Sequence, residues 1–349
     1  MGRTLSNVDP VLRRCWHPVA RPAEVTEQPL RVLLLGDPWV LYRAGGELVA
    51  FEDRCPHRRT PLSIGHCEAG VLQCAYHGWR FNASGRCVEI PALGVGAALP
   101  PAARLSPPAG LREAHGVVFL APEEPITPLG VIPEADDPAF AVGELPTLRT
   151  RGSAGLLADN FLDVAHFPYV HAGTFGADEA TLVPQFSVER HGWSFTMGYE
   201  HSFANREDPG VATGARPLVQ NRRLAYRLDA PFHLRLRIDF VEAGGSNVIG
   251  FFIQPETVAS CRLFTTLWRN DLAGNGTRTA EAMAEAVDFE VAVLREDLAI
   301  QESFDELTLP LGPTDEVHTR ADRSTLELRR VLADLVAVVE GESQELCPG

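Results

Sequence analysis

Two cysteines and two histidines occur as matched pairs within the first hundred residues. Cys55 and His57 form a C-x-H pair, and Cys74 and His77 form a C-x-x-H pair. In one type of two-iron, two-sulfur cluster, two thiolates hold one iron and two imidazoles hold the other, which raises the reduction potential. The same four ligands also suit a structural zinc ion. Because the interval between the pairs lacks a zinc-finger helix pattern and the second pair runs into Gly78, the sequence favours the cluster.

A second segment combines an amide, a carboxylate and two histidines at helical spacing. Asn160, Asp163 and His166 follow one another at steps of three residues, which places them on one face of a predicted helix. His171 comes five residues after His166 and would leave that face on an unbroken helix. Because Pro168 disfavours helical geometry at the preceding residue, we predict that the helix is distorted or ends here, turning His171 back toward His166. Two histidines with one carboxylate form the facial triad of Fe(II) oxygenases.

The chain that must position these residues is predicted to be α+β. Residues 1–121 are predicted to form a β-rich domain, since short apolar runs alternate with Gly, Pro and Asp turns. Residues 122–148, within a Pro-rich and acidic stretch, are predicted to connect it to a second domain at 149–349. In that domain an antiparallel sheet is expected to pack against helices. Its predicted elements are strands 185–189, 193–199, 223–228, 233–241, 248–254 and 262–269 and helices 155–166, 277–307 and 323–340.

Composition narrows the class of protein. The formal net charge of −15 argues against binding to nucleic acid, whose phosphates would be repelled. No segment reaches the roughly 18 uninterrupted apolar residues of a membrane helix. The N-terminus lacks the apolar core of an export signal, so a cytoplasmic location is expected. Without such a signal, the seven cysteines favour metal ligation or free thiols over a disulfide framework.

Both segments resemble one family. The sequences C-P-H-R at 55–58 and C-x-Y-H-G-W at 74–79 resemble the Rieske domain of ring-hydroxylating oxygenases. Respiratory-chain Rieske proteins carry two further disulfide-forming cysteines at positions that are Thr60 and Tyr76 here, so the oxygenase type is favoured. Cys67 and Cys87 are predicted to be packing thiols. The pattern N-x-x-D-x-x-H-x-x-x-x-H beginning at Asn160 resembles the mononuclear iron motif of the same family.

The resemblance covers nearly the whole chain and is strongest to the single-subunit O- and N-demethylases of the dicamba and vanillate demethylase type. It implies a Rieske [2Fe–2S] domain followed by a helix-grip catalytic domain (START/Bet v 1-like) with a long C-terminal helix. It also implies that the chain is the terminal oxygenase, or α, subunit and that it forms a head-to-tail homotrimer.

The resemblance also implies roles for individual residues. Asp163 would bridge the two metal centres across subunits, joining His77 of a neighbouring subunit to His166, and Asn160 is grouped with it as a catalytic residue. The carboxylate ligand of the iron must then come from elsewhere. The best candidate is Asp297 in the predicted helix 277–307, which would complete the set with His166 and His171. Glu296 and Asp305 are the alternatives.

The function implied is O₂-dependent monooxygenation, by hydroxylation or oxidative demethylation, of a hydrophobic ring-containing small molecule. Electrons would come from NAD(P)H through a reductase, a ferredoxin or both, and an acidic ferredoxin could dock on Arg54, Arg58 and Arg59. Within the family, cis-dihydroxylation and oxidation in natural-product biosynthesis stay open. Two other classes are a Rieske electron carrier, which would need only the first hundred or so residues, and a zinc-stabilised lipid-binding module.

The substrate pocket is predicted only in outline. The stretch 203–218, rich in Gly, Ala and Pro, is a candidate entrance loop. The aromatic residues of the second domain are candidates for the pocket or for the core. They are Phe161, Phe195, Phe232, Phe251, Phe252 and Trp268.

Overall fold

Short antiparallel strands dominate the N-terminal part of the chain. The computed structural model describes residues 2–176, 181–205, 208–270 and 276–346. The strands up to residue 121 are β1 (Thr4–Leu5), β2 (His17–Ala20), β3 (Leu30–Leu34), β4 (Asp37–Ala44), β5 (Glu47–Glu52), β6 (His66–Glu68), β7 (Val71–Gln73), β8 (Arg80–Phe81), β9 (Cys87–Glu89), β10 (Gly110–Ala114) and β11 (Val117–Ala121). Three sheets have the strand orders β3-β4-β5, β6-β7-β8-β9 and β10-β11-β2.

Tight turns keep these sheets compact. The turn between β4 and β5 is Gly45–Gly46, with φ of 61° and 91°. Both angles lie in the left-handed region, which two-residue hairpin turns of type I′ require and which glycine adopts without strain. The loops that carry the cysteine and histidine pairs leave β5 and β7, so each pair is held at the end of a paired strand.

The C-terminal part is built around one large antiparallel sheet. Its strands are β12 (Ala141–Glu144), β13 (Leu148–Arg151), β14 (Ser187–His191), β15 (Ser194–Ala204), β16 (Val219–Asp229), β17 (His233–Phe240), β18 (Ser246–Thr257) and β19 (Ser260–Arg269). The strand order is β12-β19-β18-β17-β16-β15-β14, and β13 also pairs with β19. A short strand, β20 (Leu309–Pro310), follows later in the chain and pairs with β1.

Helices pack on this sheet and complete the α+β fold that the sequence predicts. They are α1 (Ala154–Leu162), α2 (Phe167–Val170), α3 (Pro209–Ala212), α4 (Gly276–Glu302) and α5 (Arg323–Leu346). α4 packs against β12 and β13, α5 packs against β14 and β15, and α1 lies between α4, α5 and β18. Among the described residues, no helix combines the length and the apolarity needed to cross a membrane.

Several predicted boundaries differ from the structure, and three of them bear on the site. The helix predicted at 155–166 ends at Leu162, so Asp163 and His166 do not continue its face. The helix predicted at 277–307 ends at Glu302. The predicted connection 122–148 is not wholly irregular, because β12 and the start of β13 lie within it and pair with β19. Those two strands are only four residues long, too short for an alternating pattern to stand out from a Pro-rich background.

The start of the chain belongs structurally to the C-terminal part. The Asn7 side chain is almost fully buried. Its amide nitrogen donates to the carbonyl oxygens of Gly152, Thr257 and Ser260, at 2.9, 3.0 and 3.1 Å. Its amide oxygen accepts from the backbone N–H of Ala154, at 2.8 Å, where α1 begins. One side chain therefore ties the N-terminal segment to the helix that leads into the second chemical segment.

Candidate metal centres

The two loops with the cysteine and histidine pairs share one backbone design. In the first, the N–H of Cys55 donates to the Thr60 carbonyl and the N–H of Arg59 donates to the Cys55 carbonyl, both at 2.9 Å. The second repeats this pattern from Cys74, whose N–H bonds to the carbonyl of residue 79 and whose carbonyl accepts from Gly78. Arg59 and Gly78 both have positive φ, 60° and 68°. Two equivalent turns thus present their side chains toward one another.

The four side chains meet at one edge of the N-terminal part. Cys55 and Cys74 are buried, whereas His77 is exposed. The rings of His57 and His77 lie 4.4 Å apart between centroids, and the His57 ring stacks on Trp79 at 4.6 Å and 7°. Sulfur ligands on the inside and imidazoles toward the surface give an asymmetric site, with one side open to an electron donor.

The donor atoms fit a metal cluster. Burial raises the pKa of the Cys55 thiol to about 11, and the neighbouring Cys74 sulfur adds to this effect, so a thiolate here requires a cation. Both cysteines are free of disulfides. His57 Nδ1 is buried and has no hydrogen-bond partner among the described residues, as expected of an atom that is available to bind a metal.

The other cysteines of this region do not belong to the site. Cys67 and Cys87 are free and buried, and both pack in the hydrophobic cluster beneath the loops. This agrees with their interpretation as packing thiols.

A second set of ligand atoms lies between α2 and α4. His166 Nε2 and His171 Nε2 are 3.1 Å apart, and each lies 3.3 Å from Asp297 Oδ1. At metal–ligand distances of about 2.0–2.2 Å, neighbouring ligand atoms of one ion lie about 3 Å apart. These three atoms therefore fit a single ion with one face of its coordination sphere left open.

Local backbone structure explains how two histidines five residues apart converge. Asp163 follows the end of α1 in an extended conformation, and its carboxylate accepts from the N–H of Ala165 at 2.8 Å. This turn stops the helix before the proline is reached. His166 then caps the short helix α2, in whose first turn Pro168 is tolerated because its missing N–H would have no partner there. The predicted return of His171 toward His166 is present, although Pro168 begins a helix rather than ending one.

Neighbouring polar residues hold the three ligands in place. Asn160 Nδ2 donates to Asp297 Oδ1 at 2.8 Å. Asp163 Oδ2 lies 3.6 Å from His166 Nδ1, on the side of the ring that faces away from the other ligands. Glu296 Oε2 lies 2.8 Å from His171 Nδ1 and accepts from Thr174 at the same distance. Such outer partners fix the tautomer and orientation of ligand imidazoles.

The structure distinguishes the three candidate carboxylates. Asp297 contacts both ligand nitrogens, as the sequence interpretation expects. Glu296 contacts only the outer nitrogen of His171 and therefore positions a ligand instead of being one. Asp305 lies beyond the end of α4 and is exposed.

Neighbouring charges shift the pKa values of His166 and Asp297 in opposite directions. Burial alone would lower the pKa of His166, but the Asp163 and Asp297 carboxylates raise it to about 9. Burial alone would raise the pKa of Asp297, but His166 and His171 lower it to about 2. A buried carboxylate that is held ionised beside two imidazoles is suited to a cation, which can take the place of the proton.

An apolar cavity opens onto the three ligands. Aromatic and aliphatic side chains from the sheet, α1 and α4 line most of it. Phe161 and Phe251 stack on each other in its wall at 4.6 Å. Two buried polar atoms of its wall, Arg222 Nε and Asn247 Oδ1, have no hydrogen-bond partner among the described residues. An aromatic substrate with one or two polar groups would suit such a wall.

The predicted pocket residues divide into two groups. Of the six aromatic candidates, Phe161 and Phe251 line the cavity, whereas the others are buried in the core and do not. The predicted entrance stretch 203–218 borders the cavity through Phe203 and Asn205, and its residues 206–207 lie outside the described part of the chain.

Sequence reasoning missed Arg222. The available signal was strand parity, since buried positions in β16 alternate and include Arg222 together with the apolar residues Leu224, Tyr226 and Leu228. Because the strand was predicted to begin at residue 223, Arg222 fell outside it.

Comparisons with known proteins agree with this geometry. Residues 151–338 match the vanillate O-demethylase oxygenase C-terminal domain, and residues 15–100 match the Rieske [2Fe–2S] domain. The second match favours the iron–sulfur interpretation of the four N-terminal ligands over the zinc one. The match to the oxygenase C-terminal domain covers more than half of the chain, which a free-standing electron carrier would not need.

Individual relatives share the architecture. Methylxanthine N1-demethylase of Pseudomonas putida is 26% identical and aligns with 93% of this chain and 89% of its own. The oxygenase component of dicamba O-demethylase of Stenotrophomonas maltophilia is 36% identical over 48% of this chain and 50% of its own. The solved structure of NdmB from P. putida CBB5 superposes with a TM-score of 0.80 at 26% identity, covering 97% of this chain and 95% of that one.

Proposed function

The chain belongs to the Rieske non-haem iron oxygenases with a C-terminal domain of the vanillate O-demethylase type, and we propose that it hydroxylates or oxidatively demethylates a ring-containing small molecule. The observation that supports this reaction most directly is the set of His166, His171 and Asp297 at the end of an aromatic cavity. The relatives named as N- and O-demethylases point to a methyl group on nitrogen or oxygen as the reacting group.

Two parts of the chain divide the work in this proposal. Residues 1–121 form the electron-accepting domain, in which Cys55, His57, Cys74 and His77 hold the [2Fe–2S] cluster. Residues 149–349 form the catalytic domain, in which His166, His171 and Asp297 hold Fe(II), and 122–148 connect the two. When bound, the cluster supplies single electrons and the mononuclear iron activates O₂.

The protein's own contribution is orientation and exclusion of water. The stacked pair Phe161 and Phe251 presents a flat wall to an aromatic ring. Asn160, which bonds to Asp297, fixes the carboxylate that faces the reacting group. An apolar lining excludes bulk water from the side of the cavity at which His166, His171 and Asp297 lie.

We propose that electrons reach the catalytic iron from a neighbouring subunit of a head-to-tail trimer. Asp163 would join the exposed His77 of one subunit to His166 of the next, and its carboxylate already lies 3.6 Å from His166 Nδ1. An Asp163→Asn variant keeps an acceptor for the N–H of Ala165 but loses the charge. It should retain both metals and slow single-turnover electron transfer; normal transfer in this variant would refute the bridge.

The external donor is proposed to be a ferredoxin or a reductase with a ferredoxin-like domain, which draws on NAD(P)H. Arg54, Arg58 and Arg59 flank the first cluster loop, are exposed and form no ion pair within the described chain. They are suited to an acidic donor. Replacing Arg58 and Arg59 by Glu should raise the apparent KM for the donor without changing cluster absorbance, and an unchanged KM would remove this docking surface.

The reaction is tested by coupled O₂ consumption. Purified protein with a reductase and ferredoxin would be given methoxy-arenes, N-methyl heterocycles, steroids and polyketides, and products would be identified by mass. We expect formaldehyde and the demethylated product from at least one methyl donor. A red-brown protein that yields only cis-dihydrodiols would transfer the assignment to dihydroxylation. A colourless protein containing zinc alone would support the lipid-binding alternative.

A further inference from the structure

A buried arginine without a carboxylate partner lies in the wall of the candidate substrate cavity. Arg222 is 5% exposed and sits in β16 opposite His201 of β15 and Phe240 of β17. Its Nε has no hydrogen-bond partner among the described residues, and no described carboxylate oxygen comes within ion-pairing distance of its guanidinium. Burial lowers the pKa of Arg222, and Glu290 of the same cavity opposes this effect less than Tyr199 and Tyr226 do.

The surroundings of this guanidinium are aromatic. Its central carbon lies 4.6 Å from the ring centroids of Phe175 and Phe203 and 5.8 Å from that of Phe167. Ring faces offset part of the cost of burying the charge. They do not replace hydrogen-bond acceptors for the five N–H groups of an arginine. A buried guanidinium with an unpaired Nε–H is costly, so its presence calls for an acceptor that arrives from outside the chain.

We propose that Arg222 binds a carboxylate of the substrate and thereby determines which compounds this oxygenase accepts. The planar fork of the guanidinium matches a carboxylate through two parallel hydrogen bonds, a geometry that lysine cannot supply. The substrate class is thus an aromatic acid. This inference rests on the proposed function, because it assigns the cavity to the substrate.

The position of Arg222 also orients such an acid. Phe175 is close to both Arg222 and the metal site, since its ring centroid lies 4.6 Å from the guanidinium carbon and 4.6 Å from the centroid of the His171 ring. The guanidinium carbon is therefore no more than about 9 Å from the centre of the His171 ring. A substrate held at Arg222 by its acid group presents the opposite side of its ring to His166, His171 and Asp297.

Asn247 provides a second polar contact of different character. It is 3% exposed, lines the same cavity, and its amide oxygen is unpaired among the described residues. This oxygen is a hydrogen-bond acceptor, so it does not compete with Arg222 for a carboxylate. It suits a hydroxyl or N–H group elsewhere on the ring, so Arg222 alone carries the preference for an acid.

Binding of matched acid and amide pairs tests the proposal without relying on turnover. Isothermal titration of the holoenzyme would use benzoate, 3- and 4-methoxybenzoate, salicylate and indole-2-carboxylate, each beside its carboxamide. At least one acid should bind about 10- to 100-fold more tightly than its amide. Arg222→Gln should abolish this preference, and Arg222→Lys should restore only part of it.

The matched control is Arg223→Gln, which alters the adjacent, exposed arginine of the same strand and should keep the preference. Equal binding of acids and amides by the unaltered enzyme would overturn the proposal even if the Arg222 variants did not fold. An acid preference that survives Arg222→Gln would do so too. Measuring the iron content distinguishes failure of the oxygenase proposal from failure of the Arg222 proposal. An iron-loaded enzyme that demethylates neutral substrates and shows no preference for acids refutes only the role of Arg222. A protein that prefers acids but holds no iron refutes only the oxygenase assignment.

Discussion

At the scale of single residues, two adjacent carboxylates of α4 have different tasks. Asp297 lies 3.3 Å from both ligand nitrogens, on the inner side of the imidazoles. Glu296 reaches around to the outer nitrogen of His171, at 2.8 Å. One carboxylate is therefore placed to bind the ion and the other to hold an imidazole at the correct angle. Their order along the helix cannot be exchanged without turning α4.

Replacing Asp297 by Ala removes an iron ligand and should leave the electron-accepting site unchanged. We expect cluster absorbance to persist while the mononuclear iron is lost and turnover falls by more than about 100-fold. Metal analysis together with the visible spectrum checks this. Asp305→Ala is the control, since that carboxylate is exposed and lies beyond α4. Retention of the mononuclear iron by Asp297→Ala would show that another group completes the set.

Replacing Glu296 by Leu should weaken iron binding by about 10- to 100-fold without abolishing it, because the ligand His171 loses its orienting partner. Glu296→Gln keeps an oxygen that can accept from the imidazole N–H and should lie closer to the unaltered protein. Iron affinity measured by chelator competition would separate the variants. Identical affinities in all three proteins would contradict a positioning role.

At the scale of elements, the sequence predicted the secondary structure that depends on a repeating residue pattern. It missed the helix end that depends on a single side-chain contact. The antiparallel sheet and the long helix over most of 276–302 followed from periodicity. The candidate cysteine and histidine ligands followed from type and spacing, whereas Asp297 was one of three candidates that the family resemblance left open. The helix expected at 155–166 ends at Leu162, because the Asp163 side chain bonds to the N–H of Ala165. Periodicity cannot detect such a turn, since Asp163 keeps the helical spacing of its neighbours.

The same limit of pattern-based prediction explains why the sequence did not identify Arg222 as a cavity residue. An arginine beside another arginine on a strand ordinarily indicates a solvated surface. Arg222 and Arg223 point to opposite faces of β16, and only the register with β15 and β17 shows which of them is buried. That register is set by contacts far apart in the sequence.

The position of α1 depends on a partly buried ion pair with α5. Arg329 Nη2 donates to Asp159 Oδ2 at 2.9 Å, and its Nε donates to Oδ1 at 3.3 Å. Arg329→Ala should leave the Asp159 carboxylate without its cationic partner and lower the apparent thermal unfolding midpoint by roughly 5–10 °C. Arg330→Ala, at a position with a 67% exposed side chain, should change it by no more than about 2 °C. Equal midpoints for both variants would show that this pair does not hold the helices.

At the scale of the whole molecule, the proposed trimer makes each active site a product of two chains. A Cys74→Ser chain is expected to lack the cluster, and an Asp297→Ala chain is expected to lack the catalytic iron. Heterotrimers isolated by two affinity tags should recover turnover that neither variant has alone, because a cluster in one subunit can serve the iron in the next. Inactive heterotrimers that contain both metals would place electron transfer within a single chain instead.

The burial of Asn7 has a consequence for recombining members of this family. The Rieske match begins at residue 15, after β1 has paired with β20 and after Asn7 has bound Gly152, Thr257, Ser260 and Ala154. A chimaera that takes all residues before 121 from one relative therefore also takes from that relative the N-terminal segment that binds the catalytic part. To exchange only the electron-accepting domain, a chimaera needs two crossover points. The first fourteen residues then come from the same relative as the catalytic domain.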